Sequence, residues 1–349
     1  MRRVLLDARK ARDFGIGRYV LGLLHALARR GDLELSAVVF PGDLGLLPAG
    51  VTPVLSTAGH YSAGELLAVR GAISRGRPDL FHAPHYVVPL APPAPTVVTI
   101  HDLMHLRRPE HAAVSRRAYA TWMIRRAVRL AARIVAVSEE TRRDLIDFDA
   151  RAAGKTVVIP NGAAEGFFRA GERAGAADGS SGPYILFAGN DKPHKNLDGL
   201  LAAFARLRAA RPRLELRLAG VPAGNRTADG VRSLGFVPDG ELPGLVAGAG
   251  ILVLPSFAEG FGLPVLEAQA AGTPVACSDL PALREASGGA AAFFDPSDPG
   301  SIARTLEGLL SDEAARSRLR EAGRAHAAAF TWDRVAERTA ALYREALDR

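Results

Sequence analysis

The sequence is short of several features that would narrow its role at once. It has a single cysteine, Cys277, in 349 residues. That excludes an internal disulfide framework and agrees with a reducing compartment. No apolar run approaches the roughly 20 residues that a membrane-spanning helix requires. The start, MRRVLLDARK, puts charge directly after a short apolar stretch, so a cytoplasmic protein is expected. Aromatic residues make up only 6% and are not interleaved with basic ones as in a nucleic-acid surface, so no nucleic-acid partner is expected. Lysine is scarce as well: 4 lysines stand against 40 arginines, for a net charge of +7. Arginine grips phosphate bidentately, and the bias permits acidic partners without establishing one.

What is present is the balance of a globular protein, with 48% hydrophobic and 23% charged residues. The length is too great for one small core and fits two domains. Apolar runs of strand length alternate with helical patterns, which points to parallel sheets with crossover helices. RRVLLDA, LSAVVF, DLFHA, TVVTIHD, RIVAVSEE and TVVIPNG read as strands of a first half. PYILFAGN, LELRLAG, GILVLPS, TPVACSD and AAAFFDP read as strands of a second. Residues 166 to 182, rich in Gly, Ala and Ser without periodicity, read as a linker. The expected fold class is α/β: two Rossmann-like, doubly wound domains, residues 1–165 and 183–331, facing a cleft. In such sheets ligands bind beyond the carboxyl ends of strands.

Several strand ends carry suitable chemistry. After the first strand, Gly15 and Gly17 in DFGIGRY suit either a plain turn into a helix or close approach to a phosphate. The fingerprint GxGxxG is not completed, because Val20 stands where its last glycine would be. TVVTIHD leaves His101 and Asp102 past a buried strand, and FHAPHY offers His82 and His85, for which a structural role is favoured. In DKPHKN, Lys195 opens a helix, a position unfavourable to the dipole by roughly 0.3 to 1 kcal/mol unless an anion intervenes. Lys195 is therefore either flared into solvent or holding an anion.

The stretch SFAEGFGLPVLEA follows the strand GILVLPS. Pro264 fits a first helical turn and Gly272 a helix end, predicting a helix over 264–271. Glu259 then precedes the helix and Glu267 lies one turn into it. Gly260 and Gly262 permit a tight backbone whose amides, with those of Phe261 and Leu263, would form an anion site flanked by two acceptors. The plainer alternative leaves Glu267 complementing the dipole and Glu259 solvated.

EGFGLPVLE resembles the E-x7-E signature of glycosyltransferase family 4, retaining enzymes of the GT-B fold. GIGRYV, TIHDLMH, AVSEETRRDL, VIPNG, ILFAGNDKPHKNL, LGFVPDGELPGL and FTWDRVAERTAALY extend the resemblance over nearly the whole chain. It implies that a last helix, from about 332 to 349, returns to the first domain. It also implies that Glu267 binds the nucleotide ribose, that Glu259 contacts the transferred sugar, and that Phe261, Gly262 and Leu263 with Gly260 hold sugar and diphosphate. Lys195 would bind the leaving diphosphate and His101 would lie over the donor sugar. The Gly15 to Gly17 segment would close over the phosphates, and Val237 would meet the base. Relatives often carry an arginine where Asn190 and Asp191 stand here, which leaves Asn190 as the residue at that phosphate position. Only ten residues separate Gly220 from Val231, where relatives fit a longer helix.

The implied function is metal-independent transfer of a hexosyl unit, mannosyl among the candidates, from a GDP- or UDP-linked sugar to a glycan or lipid-linked acceptor. No resident cofactor or metal is implied. The similar proteins are bacterial mannosyl- and hexosyltransferases of surface-polysaccharide assembly. An epimerase or hydrolase of the same fold and a basic nucleic-acid-binding protein are the alternatives. The Asp147 to Asp149 pattern formally matches a metal-binding D-x-D but lies far from the sugar motifs. In the helix at 115–133, Arg116, Arg117, Arg125, Arg126, Arg129 and Arg133 accompany Tyr119, Trp122, Met123 and Ile124. That pattern suits either a core-facing stripe with a solvated basic face or peripheral contact with anionic membrane.

Overall fold

The computed structural model describes residues 1–59, 64–107, 114–176 and 184–348. The chain divides into two compact units, Met1–Gly162 with Trp332–Arg349, and Ala163–Thr331. In the first unit the strands are β1 (Arg2–Asp7), β2 (Leu33–Val39), β3 (Thr52–Leu55), β4 (Leu80–Ala83), β5 (Thr96–Ile100), β6 (Arg133–Ala136) and β7 (Thr156–Val158). They lie in the order β3-β2-β1-β4-β5-β6-β7, all parallel. The second unit holds β8 (Tyr184–Ala188), β9 (Glu215–Ala219), β10 (Val231–Gly235), β11 (Ile251–Leu254), β12 (Val275–Ser278) and β13 (Ala292–Phe294). Their order is β10-β9-β8-β11-β12-β13, again parallel.

The sequence explains the layering. Strands β4, β5, β8 and β11 are buried along their whole length, as strands with helices on both faces must be. Each buried Val, Leu or Ile contributes about 1.5–3 kcal/mol. In both sheets the winding direction reverses next to the first strand, between β1 and β4 and between β8 and β11. Crevices for ligands open at such reversals, so the segments that follow β1, β4, β8 and β11 are where chemistry is placed.

One expectation is corrected here. Residues 165–176, expected within or beside a linker, form the helix Glu165–Ala176, with Phe167 buried. Residues 177–182 of that expected linker lie outside the described residues. The helix Trp332–Leu347 belongs to the first unit and packs on the helix Phe14–Arg30. Trp332 fills the space a side chain at Gly22 would need, its ring atoms 2.3 to 2.7 Å from where a Cβ would stand.

Tyr343 of the same C-terminal helix ends a buried chain of hydrogen bonds. Its Oη lies 2.7 Å from His82 Nδ1, His82 Nε2 is 2.9 Å from Thr99 Oγ1, and Tyr19 Oη is 2.9 Å from the same Thr99 oxygen. With a neutral imidazole the chain closes in either direction, each group giving one proton to the next. His82 is therefore a structural histidine, as the plainer reading of FHAPHY expects.

Burial, and secondarily the neighbouring His101, pushes the His82 pKa down to about 3, against about 6.5 unfolded. Between these values the unfolded chain binds the extra proton, so stability present above pH 6.5 is lost as pH falls toward 3. The loss reaches about 1.4 kcal/mol per pH unit for this one group. Urea unfolding at pH 7, 5 and 4 tests it. His82→Gln is expected to be less stable at pH 7 but to lose stability less steeply, by about one proton; parallel pH profiles would show that His82 takes up its proton as readily in the fold as in the unfolded chain.

Candidate active site

At the reversal in the second unit, β8 runs into Gly189 and Asn190, and a 3-10 turn, Pro193–Lys195, leads to the helix Leu197–Ala210. Lys195 Nζ lies 2.7 Å from Glu259 Oε1, with side chains 13% and 9% exposed. Of the two alternatives for Lys195, it holds an anion, and the anion is a carboxylate of the neighbouring segment. Ser256 Oγ donates to the same Glu259 oxygen over 2.6 Å. The two segments are also tied by their backbones, Phe257 N to His194 O at 2.8 Å.

The helix after Glu259 spans Leu263–Ala270, with Pro264 in its first turn and Gly272 beyond its end at φ 69°. Gly262 caps it at φ 103°, where a Cβ would stand 2.4 Å from Leu283 Cδ2. Only glycine fits, on backbone and on space alike. No side chain caps this terminus; Pro264 has no N–H and Val265 N bonds the Gly262 carbonyl at 2.9 Å, which leaves the amide of Leu263, with those of Phe261 and Gly262, for an acceptor. Glu267 is 4% exposed in the middle of the helix, and Glu259 is sheltered too. Glu259 is therefore not the solvated acid of the plainer reading, and Glu267 stands beyond the first turn, where a carboxylate would complement the dipole.

Asn190 is half-buried, and its Oδ1 is buried without a hydrogen-bond partner among the described residues. Its neighbour Asp191 receives Arg226 Nε and Nη2 at 3.0 and 2.9 Å, and Arg226 also reaches Asp198. Arg226 belongs to the short segment between Gly220 and Val231, so an arginine does stand beside this loop, from another part of the chain. Val237 lies just past β10, partly exposed, beside Phe236, which is 77% exposed. Cys277 is buried, and burial first, then Asp279, raises its thiol pKa far above the ordinary value, so it stays an inert thiol.

The first unit holds the other predicted residues. His101 follows β5; its Nε2 donates to the Pro84 carbonyl at 2.9 Å and its ring meets Tyr19 edge to face at 4.9 Å. Burial lowers its pKa. The ring is neutral with its proton on Nε2, which leaves Nδ1 as an acceptor. After β1, Asp7, Arg9, Lys10 and Glu65 with His85 line a small pocket. Arg9 there bonds Asp7 at 2.7 Å and Glu65 at 3.1 Å; burial opposes its charge, but the two carboxylates raise its pKa above the ordinary value. Gly15 and Gly17 do not form a loop. They lie in the first turn of the helix Phe14–Arg30, where a Cβ on Gly17 would stand 2.4 Å from the Ala11 carbonyl oxygen and one on Gly15 would meet nothing. Gly17 is a packing requirement. Asp149 of the D-x-D pattern is held by Arg151 at 2.9 and 2.6 Å. Among the described residues no group of three His, Cys, Asp or Glu is placed to hold a metal ion.

Residues 15–164 match the model of Glycosyltransferase Family 4 and residues 172–326 that of Glycosyl transferases group 1. The O-antigen chain mannosyltransferase B of Escherichia coli is 32% identical over 95% of this chain and 96% of that one. The chain belongs to glycosyltransferase family 4. Among solved structures, this glycosyltransferase is similar to a sucrose-phosphate synthase from Thermosynechococcus elongatus, with a TM-score of 0.78 at 19% identity over 99% of each chain. It is also similar to the Anabaena protein HepE in complex with UDP-glucose, with a TM-score of 0.74 at 18% identity over 99% of this chain and 100% of that one. The fold is GT-B. Membership decides for a transferase over the epimerase and the nucleic-acid-binding alternatives.

The two glycines of the first helical turn separate packing from ligand roles. Gly15→Ala is expected to leave stability unchanged or raise it by up to ~1 kcal/mol. Gly17→Ala and Gly262→Ala are expected to cost about 1–3 kcal/mol through overpacking and backbone strain. Thermal and urea midpoints check this; a destabilising Gly15→Ala would mean that its surroundings are closed.

Proposed function

We propose that this glycosyltransferase moves a hexosyl unit, mannosyl first among candidates, from a GDP- or UDP-linked diphospho-sugar to a hydroxyl of a glycan or lipid-linked acceptor. It does so with retention and without a metal ion or resident cofactor. The observation that carries the reading is the Lys195–Glu259 contact beside the uncapped terminus at Gly262. One cation, a row of amides and the sheltered carboxylate of Glu259 meet at the reversal of one sheet, and a second sheltered carboxylate, Glu267, lies on the helix that follows. A diphosphate needs the first two, and the hydroxyls of sugar and ribose need the carboxylates. The E. coli mannosyltransferase supports the sugar, and the HepE complex with UDP-glucose supports the class of donor.

In this reading Lys195 and the amides of Gly260, Phe261, Gly262 and Leu263 hold the diphosphate and stabilise the charge that grows on it as the bond breaks. Glu267 holds the ribose, Val237 meets the base, and Asn190 offers a side chain to the phosphate. His101 accepts a hydrogen bond from a sugar hydroxyl at Nδ1. Gly15, with open space around it, lets the first helix start close to a phosphate, while Gly17 lets that helix pack against the Ala11 carbonyl. The acceptor oxygen bonds the anomeric carbon on the face from which the phosphate oxygen leaves, and that departing oxygen takes the acceptor proton.

Where the acceptor is lipid-linked, the helix Val114–Leu130 supplies a membrane contact, on a narrower face than the sequence suggests. Met123 and Ile124 are buried in the core. Arg126 is buried and donates to the Val88 and Pro89 carbonyls. Arg133 pairs with Glu345, and the side chain of Arg116 lies outside the described residues. Trp122, Arg125 and Arg129 remain exposed and form that face. No helix among the described residues is long and apolar enough to cross a membrane.

Lys195→Ala is expected to lower kcat by roughly 10²–10³ with an unchanged circular dichroism spectrum, measured with GDP-mannose and UDP-glucose as donors. Wild-type turnover should persist in excess EDTA, and the product's anomeric proton should keep the donor's configuration. Near-normal turnover of Lys195→Ala, complete metal-reversible loss in EDTA, or inversion would each overturn its part of the reading. On vesicles containing anionic lipid at low salt, Trp122→Ala should float less than wild type; a wild type that never floats would remove the membrane contact.

A further inference from the structure

Two donors of the site, one an ion and one a hydroxyl, share one oxygen of the Glu259 carboxylate. Lys195 Nζ and Ser256 Oγ both bond Glu259 Oε1, at 2.7 and 2.6 Å. Ser256 is fully buried, and the Lys195 and Glu259 side chains are each more than four-fifths covered. The segments that carry them cannot drift apart, because Asn196 bonds the Pro255 carbonyl at 3.1 Å and Phe257 N bonds His194 O at 2.8 Å. The pair opens by side-chain rotation alone, and an ion left without a partner in so sheltered a place is strongly disfavoured.

We propose that this pair makes the site discriminate between a nucleotide that still carries its sugar and one that has lost it, with Ser256 setting the size of the difference. The proposal rests on the donor reading above. A nucleoside diphosphate draws Lys195 onto its outer phosphate and leaves Glu259 with Ser256 as its remaining partner. The intact donor draws Lys195 in the same way but brings sugar hydroxyls that donate to Glu259, so both ions are satisfied again. After transfer the sugar has gone, Glu259 takes Lys195 back, and the diphosphate is expelled. Ser256, which stays on the carboxylate throughout, reduces the cost of the open pair. Product release is thereby built from the residues that bind the substrate.

Isothermal titration of the full chain tests this with UDP and GDP as probes, UMP and GMP as controls lacking the outer phosphate, and UDP-glucose and GDP-mannose as donors. Glu259→Gln keeps an acceptor for Ser256 but removes the charge that competes for Lys195. It is expected to bind the diphosphate about tenfold more tightly while monophosphate affinity stays unchanged. The donor should lose its advantage over the diphosphate in the same variant. Ser256→Ala is expected to act in the opposite direction, weakening the diphosphate about threefold, and carries the test alone if Glu259→Gln does not fold. In a Lys195→Ala background Glu259→Gln should bring no tightening. Unchanged or weaker diphosphate binding in Glu259→Gln, or an equal gain in the Lys195→Ala background, overturns the proposal while the donor reading stands. Failure of the wild type to bind any of these nucleotides overturns the donor reading itself.

Discussion

Asn196 is the residue on which the second unit's site hangs. Its backbone is left-handed at φ 53°, a conformation that asparagine tolerates better than most residues. Its side chain is fully used: Nδ2 donates to the Pro255 and Pro296 carbonyls at 3.1 and 2.7 Å, and Oδ1 accepts from Gly199 N at 3.2 Å. One amide thus starts the helix Leu197–Ala210 and ties the segments after β8, β11 and β13 into one piece. Lys195 precedes it by one position, and Ser256 follows Pro255. The register in which a lysine meets a glutamate 64 positions away is set by these three bonds, and the buried carbonyls would be costly to leave unpaired.

Much of the fold was legible, because buried parallel strands write themselves as apolar runs. The strands that escaped notice are edge strands. β3 carries Pro53, tolerable only where a ladder bond is not needed, and β10 carries Arg232 and Ser233 at the corresponding margin of the second sheet. The supposed linker misled for a different reason. Glycine there marks close packing: a Cβ on Gly171 would stand 2.8 Å from the Ala271 backbone, and one on Gly166 would stand 3.3 Å from Pro243. Composition alone does not separate a glycine that loosens a chain from one that lets two segments touch.

The site divides in the same way. Glu259, Glu267, Lys195 and the glycine turn are local in sequence, so motif spacing reveals them. Their pairing is not local, nor are Ser256 and Asn196 readable as participants, because each acts through a partner far along the chain. The apparent lack of an arginine beside Asn190 shows the limit well. Arg226 comes from 35 positions away to fork Asp191, and the shortness of its segment was visible while its destination was not. Among the histidines, His101 owes its proton position to the Pro84 carbonyl, a contact that no spacing rule contains.

The bond between His82 and Tyr343 spans 261 positions, and the whole second unit is synthesised between its two ends. A chain growing at about 5–20 residues per second leaves the first sheet, complete at Val158, waiting for roughly 10 to 40 seconds with the notch at Gly22 open and His82 lacking its tyrosine. The second unit, continuous from Ala163 to Thr331, has no such delay. The half of the molecule made first is the half completed last, with its last core helix supplied only after the second unit has been made.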